Sequence, residues 1–396
     1  GSYPAFFLSA HKADFILKGG SKPGKRKLSL SNILTVTQFI ISIGLIIGSL
    51  VIYQQLSYMQ NKDLGYSREN LLSLSLESEK TIEKDDIVKK KLEKIPGIRS
   101  VSLASNYPGR GVTSNGYIPE GYQEPKYFNV IYVDPDYLET VGLELARGRN
   151  FDADRKTDRK TYLINEAMAR SLQWEDPIGK TIYRNDTRSI IGVVQDFHFE
   201  PLKQEIKPLI FSMDKPWRGE KALIRLQGDD VKMTLSSIQA TWKELFDTEP
   251  LHYEFIDDTF AQVYHLDIRF GKIILAFTLL AIFIACMGLF GLAAFFTEQR
   301  TKEIGVRKVM GASAGRINNL VIRQFVRWVL IANLVAWPLA WYAMNKWLQH
   351  YAYTIDFHIG YFLLGAALSL VIAIGAVSYQ ALKAANVNPV NSLRYE

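Results

Sequence analysis

The stretch Glu298-Gln299-Arg300-Thr301-Lys302-Glu303-Ile304-Gly305-Val306-Arg307-Lys308-Val309-Met310-Gly311-Ala312 decides the fold, because of what lies on either side of it. Before it, Ile273 to Phe296 carries no charge; after it, Val326 to Trp341 is broken only by Arg327 and Trp328 at its start and by Pro338. Both runs are long enough for a membrane helix, which needs about 20 apolar residues at a rise of about 1.5 Å each. A charged, helix-prone segment between two such runs sits at a membrane surface and faces water. Val306, Val309 and Met310 fall at i, i+3 and i+4 and form a short apolar edge, with Arg300, Lys302, Glu303 and Arg307 around it. Gly305 leaves room for close approach. Such a helix suits a groove on a partner protein. The alternative, a helix lying flat on lipid, asks for a wider apolar face than this one. Ser313, after Gly311-Ala312, is placed to cap the next helix from Ala314.

Working outward, two further apolar runs emerge, Ile33 to Tyr53 and Gly360 to Ala381, both without charge. Whole-chain composition hides them: the hydrophobic share is 48% and mean hydropathy is near zero, because a long polar insert dilutes the apolar windows. Soluble core helices rarely run this far without a charge. The basic residues orient the spans. Lys18, Lys22, Lys25, Arg26 and Lys27 precede the first, while Arg300, Lys302, Arg307, Lys308, Arg316, Arg323 and Arg327 separate the second from the third. Lys383 and Arg394 follow the fourth. These segments are expected on the cytoplasmic side, leaving the long insert Gln54 to Phe270 and the short loop around Lys346 and Asp356 outside. The net charge of +7 is then topology rather than a nucleic-acid footprint, and no basic stripe with interleaved aromatics argues otherwise. Trp337, Trp341, Tyr342, Trp347, Tyr351, Tyr353 and Tyr361 crowd the outer ends of spans three and four, where amphipathic rings settle.

Within the spans, Gly44 with Gly48 and Gly288 with Gly291, beside Ala285, are expected to let helices approach closely. Gln38 and Asn333 are the strongly polar residues, and no ionisable group lies deep in a span, which argues against a proton relay or ion-coupled transporter. Cys286 is the sole cysteine and lies in a span, so the external domain is expected to fold without disulfides.

The Lys302 to Ala312 string resembles the cytoplasmic coupling segment of the FtsX/MacB/LolC group of ABC-transporter permeases. There a Lys-Glu-Ile-Gly-Val/Ile-Arg-Lys-Val-hydrophobic-Gly-Ala sequence docks onto the ATPase subunit. The resemblance implies ATPase-coupling roles for Arg300, Lys302, Glu303, Ile304, Gly305, Val306, Arg307, Lys308, Val309, Met310 and Gly311. The phrases at Tyr127 to Phe151, Leu163 to Leu172, Asp176 to Tyr183 and Ser189 to Phe199 look like a MacB-type periplasmic core domain. The first residues also echo the last. Ser2-Tyr3-x-Ala5 followed by Leu17-Lys18 matches Ser378-Tyr379-x-Ala381 followed by Leu393-Arg394, near Asn388-Pro389. This points to the C-terminal half of a duplicated permease.

In the external insert, Leu71 to Leu76 alternates like a strand, Lys84 to Ile95 has helical spacing up to Pro96-Gly97, and Ser100 to Ala104 is again strand-like, a split βαβ pattern. Gln54 to Asp63 and Asp257 to Arg269 are expected to continue the first two spans outward as stalk helices, the second packing through Phe260, Val263, Tyr264 and Ile268. Tyr107 to Gly121 reads as a Gly- and Pro-rich loop, either a plain connection or a mobile contact for cargo or a periplasmic partner.

Catalytic signatures fail on inspection. Gly19 to Arg26 mimics a phosphate loop as far as GxxxxGK, but Arg26 stands where Mg²⁺ needs a hydroxyl; a basic linker beside anionic headgroups fits better. Asp196, His198 and Glu200 alternate along an expected strand and would share one face, a half-solvated one with Phe197 and Phe199 buried behind it. His11, His252, His265, His350 and His358 show no ligand spacing.

The expected architecture is a membrane bundle of four helices with a large α/β extracytoplasmic domain inserted between the first two. Spans fall at 33–53, 271–296, 320–345 and 360–382; the external domain with its stalks at 54–270; the coupling segment at 297–319; a short external loop at 346–359; and cytoplasmic tails at 1–32 and 383–396. The expected function is that of the permease subunit of an inner-membrane ABC transporter, transmitting ATP-driven motion of a separate ATPase to the periplasmic domain to extrude a substrate. No catalytic, metal or cofactor site is expected here, ATP being bound by the partner. Expected partners are that ATPase, a second permease half, lipids and a periplasmic adaptor or cargo protein. A membrane regulator of a cell-wall enzyme, or a ligand-sensing receptor, is the alternative.

Overall fold

The structure is a computed structural model that describes residues 30–76, 78–214, 220–228 and 230–385. The basic linker with its phosphate-loop mimic, and most of the two tails whose register suggests a duplication, lie outside these residues.

Among the described residues, four helices are long and apolar enough to cross a membrane: α1 (Leu30–Asn61), α8 (His265–Gln299), α10 (Ala314–Leu348) and α11 (Gly360–Ala385). Helix α1 runs through the first span and its outward extension without interruption. The second stalk does not: α7 (Ile256–Val263) ends at Tyr264, and α8 begins at His265. The break falls where Tyr264 is drawn into the external domain, its buried hydroxyl accepting the Leu202 amide at 2.7 Å. By contrast α10 continues through Pro338.

By internal contacts the chain divides into two units, and the division falls inside every span. One unit holds the described residues up to Gly44, Leu280–Pro338 and the described residues from Gly365 on; the other holds Leu45–Leu279 and Leu339–Leu364.

In the second unit, four strands form a sheet in the order β11-β1-β10-β2, every neighbour antiparallel: β1 (Leu71–Ser75), β2 (Ile98–Ala104), β10 (Lys221–Leu226) and β11 (Tyr253–Phe255). Strands β1 and β2 are therefore parallel with β10 between them, joined through α2 (Glu79–Glu83) and α3 (Asp85–Leu92). Likewise β10 and β11 flank β1 and are joined through α6 (Val231–Leu245). Two interleaved split βαβ units make a ferredoxin-like layer. Alternation along β1 sends Leu72, Leu74 and Leu76 towards Val88, Leu92, Ile238 and Trp242 of the helices. Leu71 and Leu223 face the opposite core.

Residues 106–214 are inserted between β2 and β10. Here β3 (Thr113–Pro119), β4 (Lys126–Tyr132), β6 (Thr161–Asn165), β7 (Thr181–Tyr183), β8 (Thr187–Val194) and β9 (Leu209–Ser212) form a ring, closed by the β7 to β8 pairing, with β5 (Leu145–Gly148) added on β8. The ring encloses Tyr117, Phe128, Tyr162, Ile164, Ile182 and Ile210. Part of the expected Gly- and Pro-rich loop is thus strand β3, paired over five residues with β4. Short helices α4 (Tyr137–Val141) and α5 (Glu166–Ser171) complete the insert; α4 ends at Gly142 in the left-handed region (φ 80°), with Leu143 N–H returned to the Leu138 carbonyl at 2.8 Å.

Candidate functional site

Helix α9 (Thr301–Val309) links α8 to α10 and holds most of the expected coupling residues. Its end follows from Gly311 at φ 85°, with the Ala312 amide bonded to the Arg307 carbonyl at 2.9 Å. The Ser313 carbonyl then accepts the first amides of α10, from Arg316 at 3.0 Å and Ile317 at 3.3 Å. Glu303 sits between two cations: Arg307 Nη2 lies 2.7 Å from it, one turn on, and Arg300 Nη1 lies 3.7 Å away. Arg300 also covers the Phe296 ring at 4.4 Å. These pairs hold the polar face in shape at little energetic gain, about 0.3–0.5 kcal/mol each.

The apolar edge adjoins this polar face. Val306, Val309 and Met310 are exposed, Met310 to 82%, while Gly305 is buried. The side chains on offer to a partner are those of the Val306, Val309 and Met310 edge. Lys302, Ile304 and Lys308 lie on the same helix.

The four expected packing glycines divide. Gly48 lies beside Met344, whose Sδ would be 3.7 Å from an added Cβ, and Gly288 beside Gln38, whose Oε1 would be at 2.9 Å. Among the described residues, no atom comes within 4 Å of an added Cβ at Gly44 or Gly291. Sequence reasoning missed Gly271, where Ile52 and Leu56 of α1 come within 3.1–3.3 Å of an added Cβ. Asn333 donates to the Val329 carbonyl at 2.8 Å and accepts from Trp337 Nε1 at 3.1 Å.

A second constellation lies at the outer ends of the spans, all within the unit that holds the external domain. Buried Gln55 on α1 donates through Nε2 to the Tyr353 carbonyl at 2.8 Å and accepts the Ile355 amide at 2.9 Å. Tyr351 donates to Asp267 at 3.1 Å, and Asp267 also binds Lys203 at 2.9–3.0 Å. Burial, reinforced by the Asp267 charge, pushes the Tyr351 hydroxyl well above its ordinary pKa. Lys62 lies 4.8 Å from the centre of the Tyr353 ring, and His198 meets that ring edge-on at 4.7 Å.

The shared face expected for Asp196, His198 and Glu200 does not form. Strand β8 stops at Val194, and the chain then passes under Gly65, with the His198 amide bonded to the Leu64 carbonyl at 2.8 Å. Asp196 accepts the Ala167 amide of α5 at 2.8 Å and pairs with Arg170, while Glu200 pairs with Lys207 at 2.8 Å. His198 is buried with Phe197 and Phe199; burial, with Lys62 nearby, pulls its pKa from 6.5 to about 4. The three side chains serve three separate contacts. In the expected loop, Tyr107 is wholly buried and donates to Glu254 of β11 at 2.5 Å.

The family description MacB-like periplasmic core domain matches residues 33–212, and FtsX-like permease C-terminal matches 275–389. The chain is 24% identical over 392 residues to the uncharacterized ABC transporter permease YknZ of Bacillus subtilis, covering 93% of this chain and 96% of that protein. It is 23% identical over 274 residues to the macrolide export ATP-binding/permease protein MacB of Neisseria gonorrhoeae, covering 66% of this chain and 42% of MacB. The crystal structure of the periplasmic region of MacB from Actinobacillus actinomycetemcomitans aligns over 52% of this chain and 97% of its own, at 16% identity and a TM-score of 0.38. With four membrane-type helices and an α/β domain inserted after the first, the chain belongs to the FtsX-like ABC-transporter permeases that carry a MacB-like periplasmic core domain.

Proposed function

We propose that this permease works by mechanotransmission: ATP binding and hydrolysis on a separate ATPase subunit move α9, the spans carry that movement across the inner membrane, and the periplasmic domain extrudes a substrate from the outer face. The observation that carries the reading is the exposed edge of Val306, Val309 and Met310 on a short helix between two membrane-type helices. An apolar edge ringed by charge, leaving the polar face internally ion-paired, suits docking into a groove on a partner. The ATPase-coupling roles of Arg300, Lys302, Glu303, Ile304, Gly305, Val306, Arg307, Lys308, Val309, Met310 and Gly311 belong to this proposal. So do a second permease half, surrounding lipids, a periplasmic adaptor or cargo, and the placement of ATP on the partner.

Bending within the spans is favoured by Gly44, Pro338 and Gly365, residue types at which an α-helix is least stiff. MacB of Neisseria gonorrhoeae is named for macrolide export, and extrusion of a substrate is the corresponding activity proposed here.

The test is co-expression with the cognate ABC ATPase in membranes, comparing wild type with Met310→Glu and Arg307→Glu. Both changes fall on exposed side chains, whereas Gly305→Trp would also disturb the interior. Loss of co-purification and of altered ATP hydrolysis in both variants is expected. Wild-type protein that neither binds an ABC ATPase nor changes its hydrolysis would sink the reading and leave the receptor alternative.

A further inference from the structure

The segment between α10 and α11 is more than a return loop. Gln55, buried on α1, uses both ends of its amide on that segment, donating to the Tyr353 carbonyl and accepting the Ile355 amide at 2.8 and 2.9 Å. A buried amide that loses such partners keeps its desolvation cost without the bonds, so the segment is seated or released as a whole. Tyr351 adds a bond to Asp267, which stands at the outer end of α8 and also holds Lys203 of the external domain. The Ala352 amide donates to the Lys203 carbonyl at 3.3 Å. Tyr353 is flanked by Lys62 of the first stalk and by His198 of the domain.

We infer that residues 349–355 form a third point of transmission, through which the α10 and α11 pair acts directly on the external domain alongside the two stalks. Gln55 and Tyr351 are its positioning residues. A body held by two stalks keeps a rotation about the line joining their attachments, and a third attachment removes it. Movement of α9 would then reach the domain along both directions open to it, back through α8 and forward through α10, rather than through the stalks alone. This inference rests on the mechanotransmission reading above.

The experiment uses the full chain with its ATPase in lipid nanodiscs, in a Cys286→Ala background. Spin labels are placed at Tyr127→Cys on the inserted subdomain and Leu334→Cys on α10, both highly exposed. Nucleotide is expected to change the distance distribution of this pair. In Gln55→Leu and Tyr351→Phe the ATPase should still bind and hydrolyse within about twofold of wild type, while the nucleotide-dependent change falls about fivefold. Full responses in both variants would overturn the tether. If the unmutated pair does not respond although the ATPase binds and turns over, the transmission reading fails and takes the tether with it. Should Gln55→Leu fail to fold, Tyr351→Phe, which removes a single hydroxyl, carries the comparison.

Discussion

The guanidinium of Arg225 on β10 donates to the carbonyl of Thr140 on α4 at 3.0 Å. From the same position it reaches the Val141 and Ser67 carbonyls at 3.1 and 2.8 Å, and the Glu69 carbonyl as well. Arg225 is 8% exposed, and burial pulls its pKa below the ordinary value without neutralising it. The charge rests on backbone dipoles, two of them at the C-terminal end of α4. It fastens the chain entering from the first stalk, the ferredoxin-like sheet and the inserted subdomain to one another.

Replacing Arg225 with Leu should therefore cost about 3 kcal/mol, because several buried carbonyls lose their donor together. Arg225→Lys should recover less than half of this, since an ammonium cannot fork to the same set. Denaturant titration of the full chain in detergent checks both; a Leu variant within about 0.5 kcal/mol of wild type would remove the hub from the account.

The membrane part was legible because its signals are local. Charge-free runs mark the spans, and the i, i+3, i+4 spacing of Val306, Val309 and Met310 marks the exposed edge of α9. What the sequence hid depends on distant partners. Asp196 to Glu200 reads as a strand until Leu64 and Gly65 are brought against it. The stalk Asp257 to Arg269 reads as one helix until Leu202 takes the Tyr264 hydroxyl. Strand β3 looks like a loop because its regularity comes from pairing with β4 and β7. Gln55 gives no signal, as a glutamine near a membrane surface is unremarkable until the segment from Tyr353 to Ile355 folds onto it.

His198 should make the external domain acid-sensitive. With a native pKa of about 4 against an ordinary 6.5, the unfolded chain binds the proton more readily than the folded one between those values. Stability is therefore full above 6.5, falls as pH drops through the window, and levels off below about 4, the loss from this group reaching about 3 kcal/mol. Asp196 and Asp63 oppose the shift and Lys62 adds to it. His198→Gln should abolish this slope, measured as the stability difference from wild type at each pH; a difference that stays constant from 6.5 to 4 would be the contrary result.

Gly65 offers a comparison of backbone with space. It has φ 75°, and an added Cβ would lie 2.8 Å from the Asp196 carbonyl oxygen, which belongs to the backbone and has little room to yield. Gly121 has a similar φ of 86° but open surroundings. Gly65→Ala should cost about 2–4 kcal/mol, combining left-handed strain with a clash, whereas Gly121→Ala should cost about 1–2 kcal/mol from strain alone. Equal melting points for the two variants would show that the approach of Asp196 to Gly65 relaxes freely.

Pro338 separates stability from transmission. Inside α10 it supplies no amide proton and crowds the carbonyl one turn earlier, that of Leu334. Pro338→Ala should regain a helical hydrogen bond and raise the resistance of the purified protein to unfolding by about 1–3 kcal/mol. A stiffer span bends less for the same force. Nucleotide-dependent movement between labels at positions 127 and 334 should consequently shrink, with ATPase binding unaltered because α9 is untouched. Raised stability with an undiminished response would mean that α10 moves as a straight rod and that Pro338 has no part in the stroke.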